Sequence, residues 1–271
     1  MPLITLTTQL GSGGQEIAKL VGEGLGLDVF DDERLLSMGP DVGISSEGLE
    51  EMGKPGFFHR MFSQQPQIYL DYMDSIVYEV SRLGNGVVIG HGSQMLLRDF
   101  GCALHVLVHA PDSVRIQNVV QKQKLSSRAA EKLIHKTDSR QKGFFRMAFE
   151  KDLDNLALYD LSINTSKLSS ASAANFIIEA ARAEEINVCS LTALESMEKL
   201  SEVKRVHAAL MEKDLDSHML NIEVAEKGVI ELSGLAHSKD TIGEIVEVVQ
   251  GVPGVSEVRS ELVAAPPLYG G

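Results

Sequence analysis

Leu3-Ile4-Thr5-Leu6-Thr7, then Gly11-Ser12-Gly13-Gly14, then Gln15-Glu16-Ile17-Ala18: this stretch decides the fold. The first five residues alternate short apolar side chains with Thr, as a strand does. The glycines make a turn. Ile17, Leu20, Val21 and Leu25 then recur at helical spacing until Gly24 and Gly26 end the helix. A strand that enters a Gly-rich turn and leaves as a helix gathers backbone N–H groups at the helix start, where the dipole adds about half a positive charge. The expected chemistry is anion binding at Gly11, Ser12, Gly13, Gly14 and Gln15. A plain strand-to-helix turn uses the same residues, so glycine alone does not separate the two.

Working outward, Val29-Phe30 is a short second strand followed by Asp31-Asp32. Residues 68–83 read as a helix, 86–90 and 104–110 as buried strands, 126–150 as a basic helix, 158–163 as a fifth strand and 169–183 as a helix. Strands alternating with helices predict right-handed βαβ units, hence an α/β domain with a doubly wound parallel sheet. Residues 37–66, rich in Gly, Ser, Met and Gln, read as a mobile flap or an insertion. Beyond Glu184 the pattern changes. A helix over 194–211, a hairpin of 220–224 and 229–235 around Lys227-Gly228, a helix over 241–249 and a strand over 255–263 give the order αββαβ. Imperfect alternation of Val229, Leu232 and Leu235 predicts a twist or bulge near Ser233. The expected boundaries are 1–185, 194–263 and a disordered tail, 264–271.

The 271 residues, 44% hydrophobic and 23% charged with 24 Gly and 8 Pro, exclude collagen, coiled coil and general disorder as the main architecture. Apolar runs are too short to span a membrane, and Met1-Pro2-Leu3-Ile4 lacks the basic start of a signal peptide, so a cytoplasmic location is expected. Cys102 and Cys189 are read as neither a disulfide framework nor a metal cluster. His105 and His109 share one face of a strand without further ligands, so no metal site is expected. The net charge of −13 argues against nucleic acid as a partner. Against that background, residues 122–151 hold nine basic and three acidic residues, which is a local anion site or a solvated helix face.

The usual phosphate-loop pattern is G-x-x-x-x-G-K-[ST]. Aligned on Gly14, its first glycine becomes Gln9, its lysine Gln15 and its hydroxyl Glu16. Gln15 can hydrogen-bond to phosphate but cannot neutralise it, and Glu16 repels a triphosphate unless it turns outward. Ser12 offers a hydroxyl.

Residues 3–183 resemble the cytidylate kinase-like proteins, a branch of the P-loop nucleoside monophosphate kinases. The resemblance rests on the opening stretch, Val29-Phe30-Asp31, Val87-Val88-Ile89-Gly90-His91-Gly92, Leu96-Leu97-Arg98-Asp99, residues 104–111 and Tyr159-Asp160-Leu161-Ser162-Ile163-Asn164-Thr165. It implies transfer of the ATP γ-phosphoryl group to CMP or dCMP with Mg2+. It also implies a phosphate cradle at Gly11–Gly14, substrate contacts at Asp31 and His91, and a basic lid in which Arg140, Arg146, Lys136 and Lys142 stabilise the transferring group. The chain departs from the family by carrying Thr8, Gln15, His91 and Gln141 where basic residues are expected. Residues 196–263 resemble a BON domain, on residues 228–234, 249–255 and Val258-Arg259-Ser260-Glu261-Leu262. That resemblance implies a regulatory module for a small ligand, lipid or protein partner. Three readings stay open: a nucleotide kinase with an appended sensor, a degenerate kinase fold that binds nucleotide and signals, or a scaffold.

Overall fold

Leu3, Ile4 and Leu6 are all buried, so β1 (Leu3–Thr8) is covered on both faces, as a central parallel strand must be. The computed structural model describes residues 3–42, 66–186 and 188–265. In it, β1 lies in a five-stranded sheet with β2 (Val29–Phe30), β3 (Gly86–Ile89), β4 (Ala103–His109) and β5 (Leu161–Asn164). The order is β2-β3-β1-β4-β5 and every pairing is parallel, the doubly wound arrangement that the alternating pattern predicts. α1 (Gly14–Leu25) and α7 (Ser170–Ala181) pack together, and Ile17, Val21, Ala173 and Ile177 share a core with Ile4 and Leu6. Between β4 and β5 run α5 (Asp112–Gln123) and α6 (Ser127–Phe149), joined through Val119, Ala130 and Ile134. The described residues of the first two thirds of the chain also hold α2 (Asp32–Ser37), a 3-10 turn (Gly39–Val42), α3 (Pro66–Ser81) and α4 (Ser93–Leu96).

The fifth strand starts later than the sequence suggests. Leu156–Leu158 is a single 3-10 turn capped by Asn155. Tyr159 donates its hydroxyl to Leu153 O, and the Asp160 carboxylate accepts the His105 N–H, so both residues anchor the turn before pairing begins at Leu161. The two cysteines also need correcting. They stand 87 residues apart in sequence, yet Cys102 at the entry to β4 and Cys189 are joined in a disulfide with Cα atoms 5.0 Å apart. Linear separation carried no information about that proximity.

The chain divides into two compact units: residues 1–34 with 81–194, and residues 35–80 with 195–271. In the second, α8 (Leu191–Glu212) and α9 (Lys239–Gln250) share an apolar core with a sheet of β6 (Leu220–Glu226), β7 (Val229–Ala236) and β8 (Glu257–Ala264). β7 is central, antiparallel to β6 and parallel to β8. The order αββαβ is therefore as expected, but the irregularity is not beside Ser233. It falls on β6, where the register shifts between Val224 and Glu226. The extra residue, Ala225, lets Ile222 and Val224 keep their buried face opposite Ile230 and Leu232. Most of the expected flap (residues 43–65) and of the expected disordered tail (residues 266–271) lies outside the described residues. Among the described residues no helix is long and apolar enough to cross a membrane.

Candidate functional site

The turn after β1 is held from behind. Gly11 and Gly13 take φ of 87° and 88°, a region that favours glycine. Each carbonyl in the turn has a donor from the scaffold. Arg115 Nε on α5 reaches Leu10 O at 2.8 Å, Asn118 Nδ2 reaches Gly11 O at 2.8 Å, and Thr165 Oγ1 reaches Ser12 O at 2.9 Å. Three carbonyls of the turn are thus held by the scaffold and the Ser12 N–H is spent on Gln9 O at 3.0 Å, while α1 begins at Gly14 with no side-chain cap on its N-terminus. Uncapped helix N–H groups behind two left-handed glycines are the geometry by which a helix start can accept an anion.

Gly14 is required for a different reason: a Cβ there would stand 2.2 Å from Thr8 Cγ2. Gly14→Ala is therefore expected to cost about 1–3 kcal/mol by overpacking, and Thr8→Ser in the same chain to restore part of it. Urea denaturation of the single and double variants measures both, and a harmless Gly14→Ala would mean that Thr8 yields freely.

Ser12 is buried, and its hydroxyl donates to Gln9 O at 2.7 Å and Val108 O at 3.2 Å. It therefore shapes the turn rather than offering the hydroxyl that the sequence suggests. Gln15 is exposed at the start of α1. Glu16 is engaged by Ser170 Oγ at 2.9 Å, which answers the repulsion expected of an acid at this position.

Asp31 and His91 stand at the carboxyl ends of β2 and β3, the same sheet edge as the glycine turn. Asp31 Oδ1 accepts the Arg34 N–H at 3.1 Å and so caps α2. His91 takes φ of 54°, and its Nε2 lies 2.9 Å from Asp32 Oδ1. That hydrogen bond holds the Asp32 carboxyl below its ordinary range although its side chain is exposed. His105 is a core residue. Its Nδ1 pairs with Thr5 Oγ1 at 2.8 Å, and burial pushes the imidazole down against a raising effect from Asp160.

Along α6 the positions separate by face. Ile134 and Phe145 are buried, Asp138 forms a two-pronged pair with Arg115 at 2.6 and 2.8 Å, and Gln141 Nε2 lies 3.5 Å from Thr8 O. That side meets the glycine turn. Lys136 and Arg140 are exposed and, at 100° per residue, lie across the helix from Asp138; Arg146 is exposed on its flank. Lys142 pairs with Asp154, which holds its ammonium above the ordinary lysine range. The structure thus gathers the glycines, Gln15, Asp31 and His91 at one edge, and places Lys136, Arg140 and Arg146 on other faces of α6; Lys142, one turn beyond Asp138, is on the side that meets the turn but is paired with Asp154.

Arg115, Asn118 and Thr165 went unread as parts of the site. Arg115 and Val119 are four apart on α5 and buried together, so an arginine on the apolar face was the available signal.

Comparison with known proteins agrees with this layout. The sequence model of the cytidylate kinase-like family matches residues 3–167, and that of the BON domain matches residues 199–266. The cytidylate kinase of Pyrobaculum calidifontis is 28% identical over 173 residues, covering 62% of this chain and 86% of the relative. That of Aeropyrum pernix is 28% identical over 173 residues, covering 64% and 94%. A crystal structure of an uncharacterized protein from Eubacterium ventriosum shares the fold with a TM-score of 0.55 at 15% identity, covering 68% of this chain and all of that one. From residue 3 to residue 167 the chain belongs to the cytidylate kinase-like family, and a BON domain follows it.

Proposed function

We propose that the protein transfers the γ-phosphoryl group of ATP to CMP or dCMP, and that its BON domain senses a ligand or partner. The observation that carries this reading is the uncapped start of α1 behind Gly11 and Gly13, its carbonyls held back by Arg115, Asn118 and Thr165. The amides of that corner fit the phosphates of ATP. The fit for Mg2+ is poorer. The position that supplies a hydroxyl ligand in the usual loop is Glu16, taken up by Ser170, and the described residues contain no cluster of three or more His, Cys, Asp or Glu side chains suited to a metal. No step is assigned to the metal.

In this reading Gly11 to Gln15 hold the triphosphate, Asp31 and His91 line the acceptor side, and Arg140, Arg146, Lys136 and Lys142 supply charge only once α6 turns its basic faces toward the phosphates. Two observations favour a second reading, a kinase fold that binds nucleotide without turnover. Gln15 brings no charge, and Lys142 is already paired with Asp154.

A coupled assay with ATP, Mg2+ and a panel of CMP, dCMP, UMP, AMP and GMP decides. Turnover fastest with CMP or dCMP supports phosphotransfer. No turnover, with ATP still raising the melting temperature, supports the second reading. Gln15→Lys is expected to tighten ATP binding about tenfold or more, the size of one charged contact to phosphate. Unchanged affinity by calorimetry would place the phosphates elsewhere.

A further inference from the structure

Arg205, on α8, is a guanidinium with one long ion pair and a buried, unpaired Nε among the described residues. Its side chain is only 10% exposed, and the nearest carboxylate oxygen, Glu202 Oε1, lies 4.0 Å away. Glu202 is itself engaged, its other oxygen accepting the Gly228 N–H at 3.2 Å. Arg205 Nε is buried and, among the described residues, has no hydrogen-bond partner. A guanidinium carries five donors and keeps its charge at any physiological pH, so burial in this state is costly unless something else accepts them.

Arg205 lines a cavity of about 590 Å3 in the second unit. That size lies within the range of small-molecule sites. Leu215, Val248 and Val252 give the cavity apolar wall. Three carboxylates, Glu212, Glu244 and Glu247, and one further cation, Lys213, also line it, so acids outnumber bases three to two, and Glu212 accepts the Tyr72 hydroxyl at 2.9 Å. A polyanion such as a nucleotide would meet these acids. A ligand with one negative charge and an apolar body would meet Arg205 and the aliphatic wall.

We propose that this cavity binds a small amphipathic monoanion, its acidic group paired with Arg205 and its apolar body against Val248 and Val252. The proposal gives the sensing role of the BON domain a site and rests on that reading.

The probe is 8-anilinonaphthalene-1-sulfonate, a monoanion on an apolar body, titrated by fluorescence into the full chain beside its uncharged counterpart N-phenyl-1-naphthylamine. Arg205→Gln is expected to raise the Kd of the sulfonate about tenfold or more and to leave that of the neutral probe within about twofold. Ala209→Phe, which fills the cavity from α8, is expected to weaken both. On the unmutated chain octanoate should displace the sulfonate where 1-octanol at equal concentration does not, a comparison independent of how the variants fold. Absence of binding, equal affinity in Arg205→Gln, or equal displacement by octanoate and octanol overturns the site. Octanoate that occupies the cavity without altering phosphotransfer ends the sensing role and leaves the site standing.

Discussion

Arg115→Met is expected to lower stability by about 3–5 kcal/mol, the cost of breaking a buried ion pair from one side. Arg115 is 1% exposed and ties three parts of the first unit together: Leu10 O in the glycine turn at 2.8 Å, Asp138 on α6 at 2.6 and 2.8 Å, and Asp112 on its own helix at 3.2 Å. The methionine fills much of the volume but leaves the Asp138 carboxylate and the Leu10 carbonyl without their donor. Arg115→Lys should recover little, because an ammonium cannot serve a two-pronged carboxylate and a carbonyl from one planar fork. Adding Asp138→Leu to Arg115→Met should return a good part of the loss, since the stranded charge is then gone. Chemical denaturation of the three chains tests this, with ATP-dependent thermal shift alongside. If Arg115→Met costs under about 1 kcal/mol, the pair is not what fixes the turn. If stability falls and ATP binding survives, Arg115 supports the fold without shaping the phosphate corner.

The glycine turn was legible because glycine at a strand-to-helix junction has few structural explanations, and the five strands because β-branched and aliphatic runs recur between amphipathic helices. The residues that hold the turn were not legible. Arg115, Asn118 and Thr165 lie more than a hundred residues from it in sequence and act through side-chain bonds to backbone oxygens, which leave no periodic trace. The same holds for the Cys102–Cys189 disulfide. The basic run was legible as charge but not as direction: nine cations in residues 122–151 say nothing of which face of α6 meets the turn, and the side that does so carries Asp138 and Gln141. The bulge was misplaced on β7 because Val229, Leu232 and Leu235 were read as its inward set; the buried residues are Ile230, Leu232 and Ala236, in regular alternation, and the extra residue is Ala225 on β6.

Lys204→Met is the companion expectation in the second unit, with a pH dependence opposite to ordinary acid unfolding. Lys204 Nζ lies 2.9 Å from Asp71 Oδ1 and 2.9 Å from Asp74 Oδ2, and its side chain is 27% exposed. Burial lowers the pKa of its ammonium, but Asp74 and Asp71 outweigh that and hold it above the ordinary lysine range. A raised lysine contributes stability in full below about pH 10, the unfolded value, so all of it is present at pH 7. Asp74 is pushed above the ordinary carboxyl range by burial, even with Lys204 beside it. A raised carboxyl keeps its proton in the folded state where the unfolded chain has lost it, so stability falls as pH rises from about 4 through the folded value. Removing Lys204 takes away the counter-charge and pushes that folded value further up. The variant should therefore lose about 2–4 kcal/mol at pH 7–8, and the loss should shrink as pH is lowered toward 5. His207 is pushed down by burial and, in smaller part, by Lys204, so removing Lys204 relieves part of that depression and adds to the shrinkage of the loss at low pH. Asp74→Asn placed on Lys204→Met should restore stability at pH 7.5 and flatten the pH dependence. Urea midpoints at pH 5 and 7.5 for the three chains measure this; a loss of equal size at both values would show that Asp74 does not titrate as a buried carboxyl.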